Sequence, residues 1–143
     1  MAVTFTNKAK YLFATGAIVP GTTDLRMGLL KTLAAHTNVP DLDTVAGMEA
    51  HADFAELTAS GYGRVAQTGE AATEDDVNDR VNIDSDNVSF SAISAGETII
   101  GAFIFVHTGS DATASLIGIY DLTSTPTNGS TVTVTVADFA RIT

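Results

Sequence analysis

Apolar residues follow the two-residue period of β-strands along most of this chain, and residues 99–106 are apolar on both faces. In an extended conformation Ile99, Phe103 and Phe105 point to one side of that segment, and the apolar residues between them point to the other. Residues 115–120 repeat the pattern. A short run rich in β-branched and aromatic residues is typical of a strand that is covered on both faces. These two segments therefore predict the centre of a sandwich or barrel.

Shorter segments with half-buried alternation surround this centre and bring the predicted total to about eight strands. In the last of them, valines alternate with threonines, which predicts valines in the core and threonines in solvent. The additional segments are 2–6, 24–32, 64–68, 81–83, 88–93 and 131–136. For 24–32 a helix is the competing interpretation, because Leu25, Leu29 and Leu33 also have helical spacing, but Gly28 favours a strand. Their spacing predicts an all-β domain of the β-sandwich or jelly-roll-like class that spans residues 1–143.

Two parts of the chain depart from the alternation. Residues 34–58 contain Pro40 and early acidic residues that suit a helix start, so we expect a short helical excursion around residues 41–57. Near the N-terminus, residues 9–13 are either extended or form a single helical turn. Residues 1–19 as a whole are either an arm that adds a strand to a neighbouring subunit or an edge strand of the chain's own sheet.

The charge distribution narrows the class of partner. The 143 residues carry a formal net charge of −10, so binding to nucleic acid is disfavoured because phosphates would be repelled. The negative charge lies between residues 41 and 86, where the basic residues are Arg64 and Arg80. The chain has no cysteine, and its longest apolar run is too short to span a bilayer. We therefore expect a soluble, unprocessed domain that neither forms disulfides nor enters a membrane.

The acidic segment suggests a metal site, although no specific motif is present. Asp75, Asp76, Asp79 and Asp84 are candidate oxygen ligands for a calcium ion. The 12-residue EF-hand loop requires Gly at its sixth position and Glu at its twelfth, and this segment supplies neither. A solvated acidic edge that discourages unwanted strand pairing is the favoured interpretation. No metal or other cofactor is therefore predicted.

Catalytic motifs are missing as well. The three histidines lack zinc-binding spacing, and no nucleophile elbow, Walker motif or dinucleotide-binding glycine motif occurs. The sequence therefore predicts a protein that is not an enzyme. Arg80 is expected to pair with Asp79 or Asp84, and Arg64 beside Tyr62 suits either an ion pair or a subunit interface. The candidate interface residues are Val3, Phe5, Tyr11, Phe13, Tyr62 and Arg64.

Several short motifs resemble those of small virion structural proteins of tailed bacteriophages. The segments 74–80 (Glu-Asp-Asp-Val-Asn-Asp-Arg) and 84–93 (Asp-Ser-Asp-Asn-Val-Ser-Phe-Ser-Ala-Ile) are similar to that group. So are Gly-Tyr-x-Arg at 61–64, Ile-x-x-x-Asp at 117–121 and Leu-Arg-x-x-Leu-Leu at 25–30. The segment 36–57 departs from the group in its length and alanine content.

This resemblance implies a virion component, and the strong negative charge favours the capsid exterior over contact with packaged DNA. A decoration or cement protein of this kind is expected to be made in the host cytoplasm. It would bind the major capsid protein lattice as a homo-oligomer, typically a trimer. One alternative is a tail- or fibre-associated module that binds a host surface glycan through loops 108–113 and 122–130. Another is a calcium-dependent enzyme that uses the acidic segment.

Overall fold

The computed structural model describes residues 3–142, with side chains from residue 4 onward. These residues form eleven strands, two α-helices and one 3-10 turn. The predicted all-β fold is confirmed. In the described part of the chain, neither helix is long and apolar enough to cross a membrane.

Six antiparallel strands form the main sheet. Its order is β1-β9-β8-β2-β3, and β4 pairs with β2 next to β3. The strands are β1 (Val3–Phe5), β2 (Leu25–Leu33), β3 (Phe54–Glu56), β4 (Val65–Ala66), β8 (Thr98–Val106) and β9 (Leu116–Pro126). The two long apolar segments of the sequence are therefore the neighbouring strands β8 and β9, beside β2.

Two small sheets form a second layer. One has the order β11-β6-β5, and the other pairs β10 with β7. Their strands are β5 (Ala71–Asp75), β6 (Arg80–Asp84), β7 (Val88–Phe90), β10 (Val132–Val134) and β11 (Ala140–Ile142). Buried side chains of this layer, such as Phe90 and Phe139, share one core with Met27, Ile104 and Tyr120 of the main sheet. The architecture is sandwich-like.

The opposite face of the main sheet is covered by the predicted helical excursion. It contains a 3-10 turn (Val39–Asp41) and α2 (Val45–Glu49), which begins at the N-cap Thr44. Val45 and Met48 of α2 are fully buried, and they belong to a second core with Phe103 and Phe105 of β8. The prediction that β8 is covered on both faces is therefore confirmed.

One orientation within β8 was predicted incorrectly. Ile99 contributes to the same core as Ala102 and Ile104, not to the core that contains Phe103 and Phe105. The register shifts between Ile99 and Gly101 where β8 pairs with β9. The step of two residues from Ile99 to Gly101 in β8 matches a step of four residues from Thr125 to Asp121 in β9, and this irregular pairing interrupts the alternation of β8.

All eight predicted strands are present, and three others were missed. β3 is a short strand inside the excursion, β5 is rich in acidic residues, and β11 lies close to the C-terminus. β3 and β11 are only three residues long and β5 has no large apolar residue, so none of them carries the repeated alternation on which the prediction depends. At the N-terminus, β1 pairs antiparallel with β9 at one edge of the main sheet.

Candidate interaction surface

Helix α1 (Asn7–Ala14) is held on the main sheet by its N-cap residue, Thr6. The Thr6 hydroxyl accepts a hydrogen bond from Ala9 N at 2.9 Å and donates one to the Leu116 carbonyl at 2.6 Å. The backbone amide of Thr6 also donates to the Ile117 carbonyl. An N-cap threonine satisfies an otherwise free amide of the first helical turn. Because this cap also bonds β9, the start of the helix is fixed relative to the sheet.

A groove of about 390 Å³ separates α1 from β11. Most of its lining is apolar. The lining residues are Phe5, Ala9, Lys10, Phe13 and Ala14 on the α1 side and Ala140, Arg141 and Ile142 on the β11 side. A volume of this size accommodates several side chains of a partner. The groove is therefore a candidate docking surface.

Basic residues border this groove, although the protein as a whole is strongly acidic. Lys10 lines the groove and is exposed, and Arg141 lies across from it on β11, where it pairs with Asp138 at 3.1 Å. Lys8, two residues earlier on α1, does not line the groove, and its amine lies 5.8 Å from the centre of the Tyr11 ring. Long basic side chains at the edge of an apolar surface favour a ligand that is itself apolar with acidic flanks.

The predicted interface residues fall into two separate places. Phe5 and Phe13 come together in the groove, where both are half-buried. Tyr11 lies on α1 and is 61% exposed. Val3 belongs to β1 by its backbone, and its side chain lies outside the described part of the structure.

Tyr62 and Arg64 lie elsewhere, in a network of ion pairs at the covered face of the main sheet. The Arg64 guanidinium binds Glu56 through two nitrogens, at 2.8 and 2.6 Å, and also binds Glu49 and Asp111. The Tyr62 hydroxyl accepts a hydrogen bond from a backbone amide of β2 and donates one to Glu56. The network ties β3, β4, α2 and the loop after β8 to one another.

Aromatic rings and burial determine the electrostatics of this network. The Arg64 guanidinium lies 5.4 Å and 5.1 Å from the ring centres of Phe103 and Phe105, a cation–π arrangement. Its hydrogen bonds to Glu56 raise the pKa of Arg64 above its usual value. Desolvation, followed by the hydrogen bond with Glu56, raises the pKa of Glu49. The arrangement fixes covering segments on the sheet, and all of its groups have partners within the chain.

The acidic candidates for a metal site are dispersed by the β5–β6 hairpin. Asp75 pairs with Arg80 at 2.9 Å, and it also accepts hydrogen bonds from Asn78 and Asn82. Arg80 therefore pairs with an acidic residue, as expected, but this residue is Asp75 and not Asp79 or Asp84. Antiparallel pairing of β5 and β6 places Asp75 directly opposite Arg80, which explains why these two residues form the ion pair.

The remaining acidic candidates do not assemble a ligand cage. Asp84 accepts hydrogen bonds from the backbone amides of Ser85 and Asp138, while Asp76 and Asp79 lie exposed in the turn. Among residues 3–142, no group of three or more His, Asp or Glu side chains is placed to hold a metal ion.

The hairpin turn also exposes an apolar side chain, Val77, which is 91% exposed. It stands between Asp76 and Asp79, at the point where the hairpin projects from the small sheet. Asp79 has a φ of 51°, a left-handed conformation that Asp tolerates in tight turns. A single exposed apolar side chain is common on protein surfaces, but burial of this valine against a partner would still gain free energy.

Sequence reasoning missed one wall of the groove and the partners of Arg64. The wall on the β11 side consists of residues 140–142, and Ile142 is the only large apolar residue among them. Asp111 lies 47 residues from Arg64 along the chain, so no local pattern connects them. A signal was available for α1: Ala9, Leu12 and Phe13 follow the spacing of a helical face.

No protein-family model matches the chain, and comparison with the curated proteins and with the solved structures gave no match.

Proposed function

We propose that this chain is a structural protein of a tailed-bacteriophage virion. In this proposal it decorates the capsid exterior as a homotrimer and stabilises the assembled head by binding the major capsid protein lattice. The sequence motifs that resemble phage virion proteins support the proposal, and they map onto defined elements. The segment 74–80 forms the projecting hairpin turn, 61–64 leads into β4 with Arg64, and 117–121 lies in β9.

The observation that carries the proposal is the apolar groove beside α1. It presents Phe5 and Phe13 to a partner, with basic residues at its border. A concave apolar surface of this kind suits protein docking. The polar clusters described above have their partners within the chain and act in holding the fold.

The mechanism that follows is mass action. A protein that binds only the assembled lattice stabilises it by RT ln(1 + [L]/Kd), which is about 2.7 kcal/mol at a free concentration one hundred times Kd. The net charge of −10 suits the outside of the shell, because packaged DNA on the inside would repel it.

Co-sedimentation with purified heads tests this proposal. The protein is expected to bind expanded capsids, to bind unassembled capsid protein weakly, and to raise the temperature at which heads release DNA. A chain that stays monomeric and leaves the heads unchanged would contradict it. Localisation in intact particles by electron cryomicroscopy gives an independent answer.

A second candidate is a tail- or fibre-associated module that binds a host surface glycan. A groove of about 320 Å³ favours it, because Thr123, Thr125, Thr133 and Thr135 line it together with Asp121. Hydroxyl and carboxylate groups are suitable hydrogen-bond partners for sugars. Glycan-array binding that is lost in Asp121→Ala, together with labelling of tails and not heads, would favour this candidate over capsid decoration.

A further inference from the structure

Two features of the surface have complementary shape and chemistry. One is the apolar groove between α1 and β11, bordered by Lys10 and Arg141. The other is the tip of the β5–β6 hairpin, here defined as residues 76–79, where Val77 is 91% exposed between acidic residues. The groove is concave and apolar and could bind an apolar side chain. Val77 is an exposed apolar side chain that could be buried in such a groove.

The topology prevents the tip from filling the groove of its own chain. β6 pairs with β11 so that Val81 lies opposite Ile142, and the tip directly precedes the start of β6. The tip therefore extends from the end of β11, where Asp76, Asp79 and Ile142 line one pocket, and Ile142 also lines the groove on its α1 side. Backbone pairing of β5, β6 and β11 holds the hairpin along the small sheet and directs the tip away from the space between Phe5 and Phe13 of its own chain.

Hydrogen bonds within the hairpin preorganise the tip for binding. Asp75 accepts hydrogen bonds from the side chain of Asn78 and pairs with Arg80, which closes the base of the turn. An insert that is already rigid loses little conformational entropy when it docks.

Charge complementarity connects the tip with the groove. Asp76 and Asp79 flank Val77 and are exposed, and within the described residues neither forms an ion pair. Lys10 is likewise exposed at the groove, on a helix that carries no acidic residue in its first turn. Arg141 is already paired with Asp138 at 3.1 Å, so Lys10 supplies the positive charge that attracts an acidic tip in a protein with a net charge of −10.

We propose that a second copy of this chain occupies the groove. The tip of one copy inserts Val77 between Phe5 and Phe13 of the next, with Asp76 and Asp79 near Lys10 and Arg141. Because this contact joins two different surfaces, it is head-to-tail. It forms a closed ring if successive rotations between neighbouring copies add up to a full turn. The contact identifies the surfaces through which the proposed homo-oligomer would form. This inference rests on the proposed self-association and not on the proposed binding to the capsid.

Sedimentation velocity over a range of protein concentrations tests the contact. Val77→Asn and Asp76→Lys are each expected to weaken self-association at least tenfold. The matched control is Asp43→Lys, which makes the same charge change at an exposed position outside the hairpin and the groove and should leave association unchanged. Circular dichroism establishes that each variant keeps the native fold.

A charge exchange provides the decisive measurement. Lys10→Glu is expected to weaken association as Asp76→Lys does, and a chain that carries both substitutions should recover it. An equimolar mixture of the two single variants should also form mixed oligomers, because each supplies a surface that suits the other.

The outcomes separate this inference from capsid decoration. A wild-type oligomer that tolerates Val77→Asn, Asp76→Lys and Lys10→Glu would overturn the tip-in-groove contact and leave capsid decoration standing. A wild-type monomer that binds heads through the groove, shown by loss of head binding in Lys10→Glu, would overturn it too and assign the groove to a capsid protein segment. A monomer that ignores heads would refute both proposals.

Discussion

The carboxylate of Glu97 accepts four hydrogen bonds from three residues, and replacing it should reveal how the chain holds a long loop to its central strand. Its Oε1 accepts hydrogen bonds from Lys31 Nζ at 2.5 Å and from the Thr58 hydroxyl at 2.8 Å. Its Oε2 accepts hydrogen bonds from the backbone amides of Thr58 and Ala59 at 2.8 and 2.7 Å. Glu97 directly precedes β8, so these bonds join the loop after β3 to the start of the central strand.

The pKa of Glu97 gives the magnitude by which its charged form stabilises the folded state. The hydrogen bond from Lys31 is the largest of the effects that lower the pKa of Glu97 from 4.5 to about 2. At about 1.4 kcal/mol for each pH unit between the two values, the charged form is favoured in the folded state by about 3 kcal/mol. The side chain is 20% exposed, and solvent screening reduces this to about 2 kcal/mol.

In Glu97→Gln, one carboxylate oxygen becomes an NH₂ group that faces other donors. We expect the free energy of unfolding at pH 7 to fall by about 2 kcal/mol, because the donors left without an acceptor lose their bonds. A depressed folded-state pKa gives stabilisation that is complete above pH 4.5 and is lost as the pH falls towards 2. The difference between wild type and variant should therefore be constant from pH 7 to pH 5 and fall to less than half by pH 3.

Urea unfolding followed by far-UV circular dichroism suits this measurement, because urea is uncharged and the chain has no tryptophan. Glu74→Gln is the matched control, since it makes the same chemical change on the exposed strand β5, and its effect should stay within about 0.5 kcal/mol. Equal stabilities of wild type and Glu97→Gln at pH 7, or a difference that persists unchanged to pH 3, would refute the reasoning.

Three further substitutions probe the packing and the buried polar groups. In Gly28→Ala the new Cβ would clash with the Phe103 ring, so we expect a loss of about 1–3 kcal/mol in urea unfolding; an unchanged midpoint would mean that the ring moves freely. Tyr120→Phe removes a buried hydrogen bond of 2.7 Å to the Phe139 carbonyl, which should lower the melting temperature and cost about 1 kcal/mol. In Glu49→Gln, a charge that is disfavoured in the folded state is removed, because burial raises the pKa of Glu49. Because the Glu49 side chain is 36% exposed and solvent screens its charge, stability at pH 7 should rise only slightly, and the gain should disappear below pH 4.5; a loss at pH 7 would show that the ion pair with the arginine dominates.

The groove and the ion-pair network illustrate how far local pattern extends towards a site. Phe5 and Phe13 were identified as interface candidates because they are apolar residues near an end of the chain, and the structure places both in the groove. The opposite wall, with Arg141, comes from a strand that pairs with β6, and nothing in the local pattern of either segment indicates that they meet. In the same way, Arg64 and Tyr62 were recognised as notable residues, whereas their shared partner Glu56 was not, because it lies on another strand.

The sequence by itself determined eight of the eleven described strands and which of them lie at the centre. The reason is that burial of alternate side chains is a local property, written into the order of apolar and polar residues. Tertiary structure alone decided the irregular pairing that turns Ile99 into the other core, the choice of Asp75 as the partner of Arg80, and the meeting of α1 with β11. These three features depend on strand register and on the packing of segments that are far apart in the chain. Which residues meet in such contacts is decided by the rest of the fold and not by local sequence.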